Sequence, residues 1–130
     1  MIRDLIIFSI IFLCLDSIYL KNIATEFGKM IQKIQGSGIE FKIGPTIIVY
    51  IALTLVWYVF IYPELKKKTL RQNLFRAAIL GICIYATYDF TNLAVIKNYK
   101  LNIAIIDSIW GGILYSFSTY IFIFISSLVS

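Results

Sequence analysis

Three aspartates stand out in the 130-residue chain because each lies alone in an otherwise uncharged apolar stretch. Asp16 is the only charge between Leu5 and Leu20, Asp89 the only one from Ala77 to Ile96, and Asp107 the only one after Leu101. An aspartate at the centre of a membrane-spanning helix costs about 2.5–3.5 kcal/mol on insertion scales, so such residues face a bundle interior and mark sites of function. Neighbours three and four positions away share a helix face. By that rule Asp89 is flanked by Tyr85 and Asn92, Asp107 by Trp110 and Gly111, and Asp16 by Tyr19. Thr46, at the start of the second apolar stretch, falls in the same half of the membrane.

Carboxyl groups clustered in a low dielectric raise one another's proton affinity. A layer of three could hold a proton or small cation, as acid chains do in proton relays. The same groups could serve as general acid and base in an enzyme acting on a lipid or another apolar molecule, with Asn92 or Tyr85 orienting the substrate. Without a nucleophile motif, that chemistry narrows to hydrolysis, hydration or isomerisation. A non-catalytic partner of a larger membrane protein is a third possibility. Structural roles compete with all of these. Asp16 is close enough to a surface to be interfacial, and Asp89 and Asp107 could simply hydrogen-bond two helices together. Histidine is absent, which removes the commonest proton shuttle and metal ligand. Cys14 and Cys83 lie at different depths, and no glycine loop for phosphate is present. No metal or cofactor is expected, and no residue is assigned a catalytic role.

The elements that must position these residues follow from composition. The chain is 60% hydrophobic and 15% charged, against about 45–50% and about 25% for a soluble domain. Its mean hydropathy is +0.86. Disorder is excluded, and so small a soluble domain could not bury this much apolar surface. About 20 apolar residues are needed to cross the hydrocarbon core. Four spans meet or approach that length, at about 5–20, 43–62, 76–96 and 101–127. The expected fold is therefore all-α: a polytopic membrane protein, one domain over residues 1–130, built as a four-transmembrane-helix bundle. A barrel would require alternation that runs such as Leu5–Leu13 lack. The first span has no clean cleavage site after it and reads as an uncleaved helix rather than a signal peptide.

Helix direction alternates, so depths can be compared. Asp16 lies five residues before Lys21, Asp89 eight before Lys97, and Asp107 seven after Lys100. At 1.5 Å per residue the three lie roughly 7, 12 and 10 Å below one surface, the side of the first and third connections. One shared layer is the expectation.

The first connection carries Ile23, Phe27, Met30, Ile31 and Ile34 at helical spacing with Lys29 and Lys33 between them. That pattern predicts an interfacial amphipathic helix between spans one and two. Gly36-Ser37-Gly38 ends it, and Gly44-Pro45 opens the second span. Lys66, Lys67, Lys68 and Arg71 crowd the second connection, and Lys97-Asn98-Tyr99-Lys100 makes a hairpin of spans three and four. Trp57, Tyr58 and Tyr62 read as an aromatic belt, and Gly111-Gly112 as a site of close helix packing. Lys and Arg are tied between the two faces, and the dense run in the second connection tilts the expectation toward cytoplasmic termini. The net charge of +5 favours anionic head groups over nucleic acid, since no basic patch is interleaved with exposed aromatics. The expected partners are the lipid bilayer, further copies in a homo-oligomer, and a proton, small cation or lipid-like ligand.

Two blocks of this sequence also form a recognisable pair. Tyr88-Asp89-Phe90-Thr91-Asn92-Leu93-Ala94 followed by Asp107-Ser108-Ile109-Trp110-Gly111 resembles the signature of the domain of unknown function 2177 family of predicted membrane proteins. Asp16 with Tyr19 resembles that family's N-terminal element, with tyrosine where tryptophan is commoner. The resemblance implies a four-helix membrane protein whose motif residues are the three aspartates and their neighbours, Tyr88 among them. It implies no activity.

Overall fold

The structure is a computed structural model describing residues 2–129; Met1 and Ser130, at the ends of the expected domain, lie outside the described residues. Four helices follow in order: α1 (Ile2–Gln35), α2 (Ile43–Phe60), α3 (Leu70–Val95) and α4 (Leu101–Val129), with a single 3-10 turn at Tyr62–Glu64 after α2. All four are long and apolar enough to cross a membrane. No strand occurs among the described residues. Large apolar side chains such as Ile6, Ile10, Ile48, Ile51, Phe75, Ile109 and Phe124 point outward from every helix, as they do where the surrounding solvent is hydrocarbon.

The first connection departs from expectation. No separate interfacial helix forms, because nothing between Leu20 and Gln35 interrupts the backbone ladder, and α1 continues as one rod of 34 residues. At 1.5 Å per residue that is about 51 Å, well beyond a hydrocarbon core of about 30 Å. Gly36 ends the rod in the left-handed region at φ 77°, which only glycine adopts without strain. The Gln35 side chain then donates to the carbonyls of Ser37 and Gly38, tying down the turn. The amphipathic stripe thus extends α1, and its apolar side covers the α3–α4 hairpin.

Helix α3 begins earlier than expected, at Leu70, because Thr69 and Gln72 form a reciprocal capping box. Asn73, 1% exposed, donates to the carbonyls of Leu65 and Lys68 and so binds the second connection back onto the helix. At the other end Ile96 leaves the helical conformation and Asn98 takes φ 72°, turning the chain directly into α4.

Helix α4 is the centre of the bundle. Its buried residues, among them Ala104, Ser108, Gly111, Leu114, Tyr115, Ser118 and Phe122, run the length of one face. Lipid removes the hydrophobic drive between helices, so dispersion and hydrogen bonds must hold them. Against α3 the approach is closest at Gly81 and Gly111. A Cβ on Gly81 would lie 2.0 Å from the Gly111 carbonyl oxygen, and one on Gly111 would lie 2.6 Å from that of Gly81. The expected packing role of Gly111 is therefore realised, with Gly81 as its partner.

In the half of the bundle holding the chain termini, the core is aromatic. Trp57 is fully buried, stacks on Phe8 at 3.7 Å between centroids and donates to Thr119 Oγ1 at 2.9 Å. The expectation of a belt residue fails for Trp57 because α2 turns it inward. Tyr115 reaches across to donate to the Leu53 carbonyl at 2.6 Å. Tyr62, also expected in the belt, hydrogen-bonds Asp4 on α1.

A methyl group at the α3–α4 crossing has no room, because the atoms it meets are backbone. Gly81→Ala should destabilise the protein by about 1–3 kcal/mol, the usual cost of overpacking. Gly44→Ala, where nothing lies within 4 Å, should leave stability unchanged or raise it. Thermal unfolding of the two variants in the same detergent measures the difference.

Candidate functional site

The three aspartates come from three helices, and each receives a hydroxyl or indole donor from a different element. Asp16 on α1 is 4% exposed; one oxygen accepts from Trp110 Nε1 of α4 at 3.0 Å and the other from the Tyr50 hydroxyl of α2. Asp107 on α4 accepts from the Tyr19 hydroxyl of α1 at 2.9 Å. Asp89 on α3 accepts from the Tyr99 hydroxyl of the α3–α4 connection at 2.8 Å. Tyr19 and Trp110 stack face to face, centroids 4.7 Å apart and planes 6° from parallel, which couples the Asp16 and Asp107 ends of the layer. The Asp107 carboxyl lies close enough to that of Asp89 for each to bear on the other's charge. One connected chain therefore runs from Tyr50 through Asp16, Trp110, Tyr19 and Asp107 to Asp89 and Tyr99.

Why the local sequence folds this way is simple helix geometry. Asp16 and Tyr19 are three apart, as are Asp107 and Trp110, so each pair leaves its helix on one side. The two pairs then exchange bonds crosswise between α1 and α4, carboxylate to indole and hydroxyl to carboxylate. Tyr85, one turn before Asp89, lies with its ring where a Gly111 Cβ would be, 2.6 Å from that position. Asn92, one turn after, sits beside the hydroxyls of Tyr88 and Tyr99. Tyr88 itself is turned largely outward.

Two members were missing from the sequence-based set. Tyr50 takes the place in α2 that Thr46, one turn earlier, was expected to fill; the Thr46 hydroxyl is spent on its own helix, donating to the Lys42 carbonyl at 2.7 Å. Tyr50 carried no signal beyond being a polar tip in a wholly uncharged span. Tyr99 lies in the four-residue connection with two lysines and an asparagine, with no signal of its own, and it is 8% exposed. Its hydroxyl is held well above the ordinary tyrosine range, first by burial and then by its bond to Asp89, so it remains a neutral donor.

Within the carboxylate layer one buried atom breaks the pattern of satisfied groups. Asp89 is fully buried, and its Oδ2 meets no hydrogen-bond donor. A buried acceptor left unmet costs about 1–3 kcal/mol, and more where charge is involved. The group beside it, the Asp107 carboxyl, is another acceptor. A proton shared between the two, or a cation, is what would satisfy such a pair. Among the described residues no three acidic, sulfur or imidazole side chains converge to hold a metal ion, so the arrangement offers a pair rather than a cage.

With the geometry in view, the family match can be placed on it. The family described as "Predicted membrane protein (DUF2177)" matches residues 1–124, which include every residue of the layer. The chain belongs to this family. No curated protein and no solved structure matches it.

The donors to Asp16 can be tested one at a time. Tyr50→Phe and Trp110→Phe should each destabilise the protein by about 1–3 kcal/mol, by leaving a buried carboxylate oxygen unmet. In an Asp16→Leu background, which has no acceptor to strand, Tyr50→Phe should cost little. A cycle of unfolding free energies in detergent checks this; equal costs in both backgrounds would remove the bond from the account.

Proposed function

We propose that this family member binds and releases a proton, or a small monovalent cation, at the Asp89–Asp107 pair, and that this exchange is the working step of transport across the membrane. The observation that carries the reading is the enclosed, unmet Asp89 Oδ2 beside a second carboxyl group. In hydrocarbon such a pair is costly unless a positive species neutralises it. The neighbouring donors are neutral hydroxyls and an indole rather than Lys or Arg, so no resident side-chain cation competes for the place.

The packing of the bundle bears on how such transport would be organised. The half beyond the carboxylate layer is filled by Phe8, Phe12, Trp57, Tyr115 and Phe122, all 0–2% exposed. A single bundle thus has a half-depth site and no second half-path. Completion by further copies of the chain fits the broad apolar outer faces, in keeping with a homo-oligomer.

A second reading rests on a different feature. An apolar groove of about 370 Å³ between α1 and α2, lined by Ser9, Leu13, Thr46, Ile47, Ile51 and Thr54, passes Tyr50, whose hydroxyl holds Asp16. An acyl chain lying there would run beside the carboxylate layer, as an enzyme or binder of a lipid-like molecule would need.

Proteoliposomes carrying a pH-sensitive dye test the first reading. The native protein should pass protons or a monovalent cation under an imposed gradient, and Asp89→Asn and Asp107→Asn should each cut the flux at least about tenfold, as expected for an intramembrane carboxylate relay. Flux equal to that of protein-free vesicles, or flux unchanged in both variants, would overturn it. Modification of a lipid extract by the native protein, lost in Asp16→Asn, would favour the second.

A further inference from the structure

On the side of the first and third connections, Asp89 is covered by side chains from two elements far apart in sequence. Tyr99 covers Asp89 directly, its hydroxyl bonded to the carboxylate. Met30, from the part of α1 that runs beyond the hydrocarbon, lies over the hairpin at 0% exposure. Met30, Tyr99, Ile103 and Ala104 form one apolar cluster, separate from the aromatic core, with Phe27 and Ile34 of α1 packed at its edge. The Lys100 backbone N–H donates to Met30 Sδ at 3.3 Å, so the thioether grips the residue next to Tyr99.

We propose that Tyr99 and Met30 are the aqueous gate of the carboxylate site, with Tyr99 as the barrier and the outer end of α1 as the clamp that keeps it shut. The proposal rests on Asp89 being the exchanging group. Three features support it. Tyr99 belongs to a short connection turned by a left-handed Asn98, outside both helices and held by the backbone bond from the Tyr99 N–H to the Ile96 carbonyl. The clamp is weak by construction: a thioether is a poor acceptor, and its remaining hold is dispersion. Among the described residues no ion pair assists closure, and Lys29 is paired within its own helix, to Glu26. Lys29 and Lys33 on α1 and Lys97 and Lys100 on the hairpin have like sign, and the described ion pairs include none between the two elements. Opening therefore breaks one bond to Asp89 and one to sulfur, and it wets a carboxylate that burial holds under strain.

Carbodiimide labelling reads the gate without reference to transport. Protein in lipid nanodiscs, where both faces meet water, is treated at mildly acidic pH with a water-soluble carbodiimide and an amine, and modification of Asp89 is quantified by peptide mass spectrometry. A membrane-soluble carbodiimide in parallel reports on the integrity of the buried layer. The native protein should resist the water-soluble reagent at Asp89. Met30→Ala, which leaves the Tyr99–Asp89 bond in place, should raise its labelling severalfold, and Tyr99→Ala should raise it further, with labelling by the membrane-soluble reagent unchanged. Asp89 modified equally in the native protein, or no increase in either variant, would overturn the gate. A rise with both reagents in Tyr99→Ala signals a damaged bundle, and Met30→Ala then decides. If labelling behaves as expected while proton flux ignores Asp89→Asn, the gate stands and the transport reading alone falls.

Discussion

The bundle depends on two glycines that leave no space between α3 and α4. In water a helix pair can rely on expelling solvent from apolar surface, but in hydrocarbon the lipid tails are as apolar as the side chains. Close approach of backbones is then a main source of attraction, and Gly81 against Gly111 leaves no room for a Cβ between the two backbones. Asp107 lies one turn from Gly111 and Asp89 two turns from Gly81, so the crossing also fixes how near the two carboxyl groups stand. A wider crossing would let lipid or water separate them. Packing and chemistry are one constraint here.

The molecule divides across the membrane into unlike halves. On the side of the chain termini, stacked and edge-on aromatics fill the interior, and Trp57 Nε1 and the Tyr115 hydroxyl find partners there while Ser118 Oγ does not. On the other side the carboxylates are surrounded by donors from all four helices or their connections. Every donor to the layer comes from an aromatic side chain. Tyrosine and tryptophan bring a hydrogen-bonding tip on a large apolar body, which lets a polar atom be delivered deep into the bundle without a second charge.

Much of this could be read from residue order, and the reasons differ by element. The spans were visible because charge is so costly in lipid that its absence draws their outlines. The aspartates were visible as exceptions to that absence, and Tyr19 and Trp110 because they sit three positions along the same helices. Tyr50 and Tyr99 were not, since neither has a neighbour in sequence that points to a carboxylate on another helix. Gly81 was unremarked for the same reason: a lone glycine shows its purpose only when its partner across the crossing is known. The amphipathic stripe over residues 23–34 was real, but periodicity cannot distinguish a helix lying on lipid from the end of a longer one lying on protein. What covers the stripe is the hairpin, and that is a tertiary fact.

The continuity of α1 has a mechanical consequence. A rod held at Phe8 by the stacked Trp57 has Asp16 about 12 Å and Met30 about 33 Å along its length. A tilt about the held end moves Met30 nearly three times as far as Asp16. Displacing the outer end by a few ångströms therefore shifts Asp16 by about one, enough to lengthen its bonds to Tyr50 and Trp110 without tearing the core. Along that rod Asp16 is on the short arm and Met30 on the long one, so a displacement of the outer end would reach the buried acid reduced about threefold.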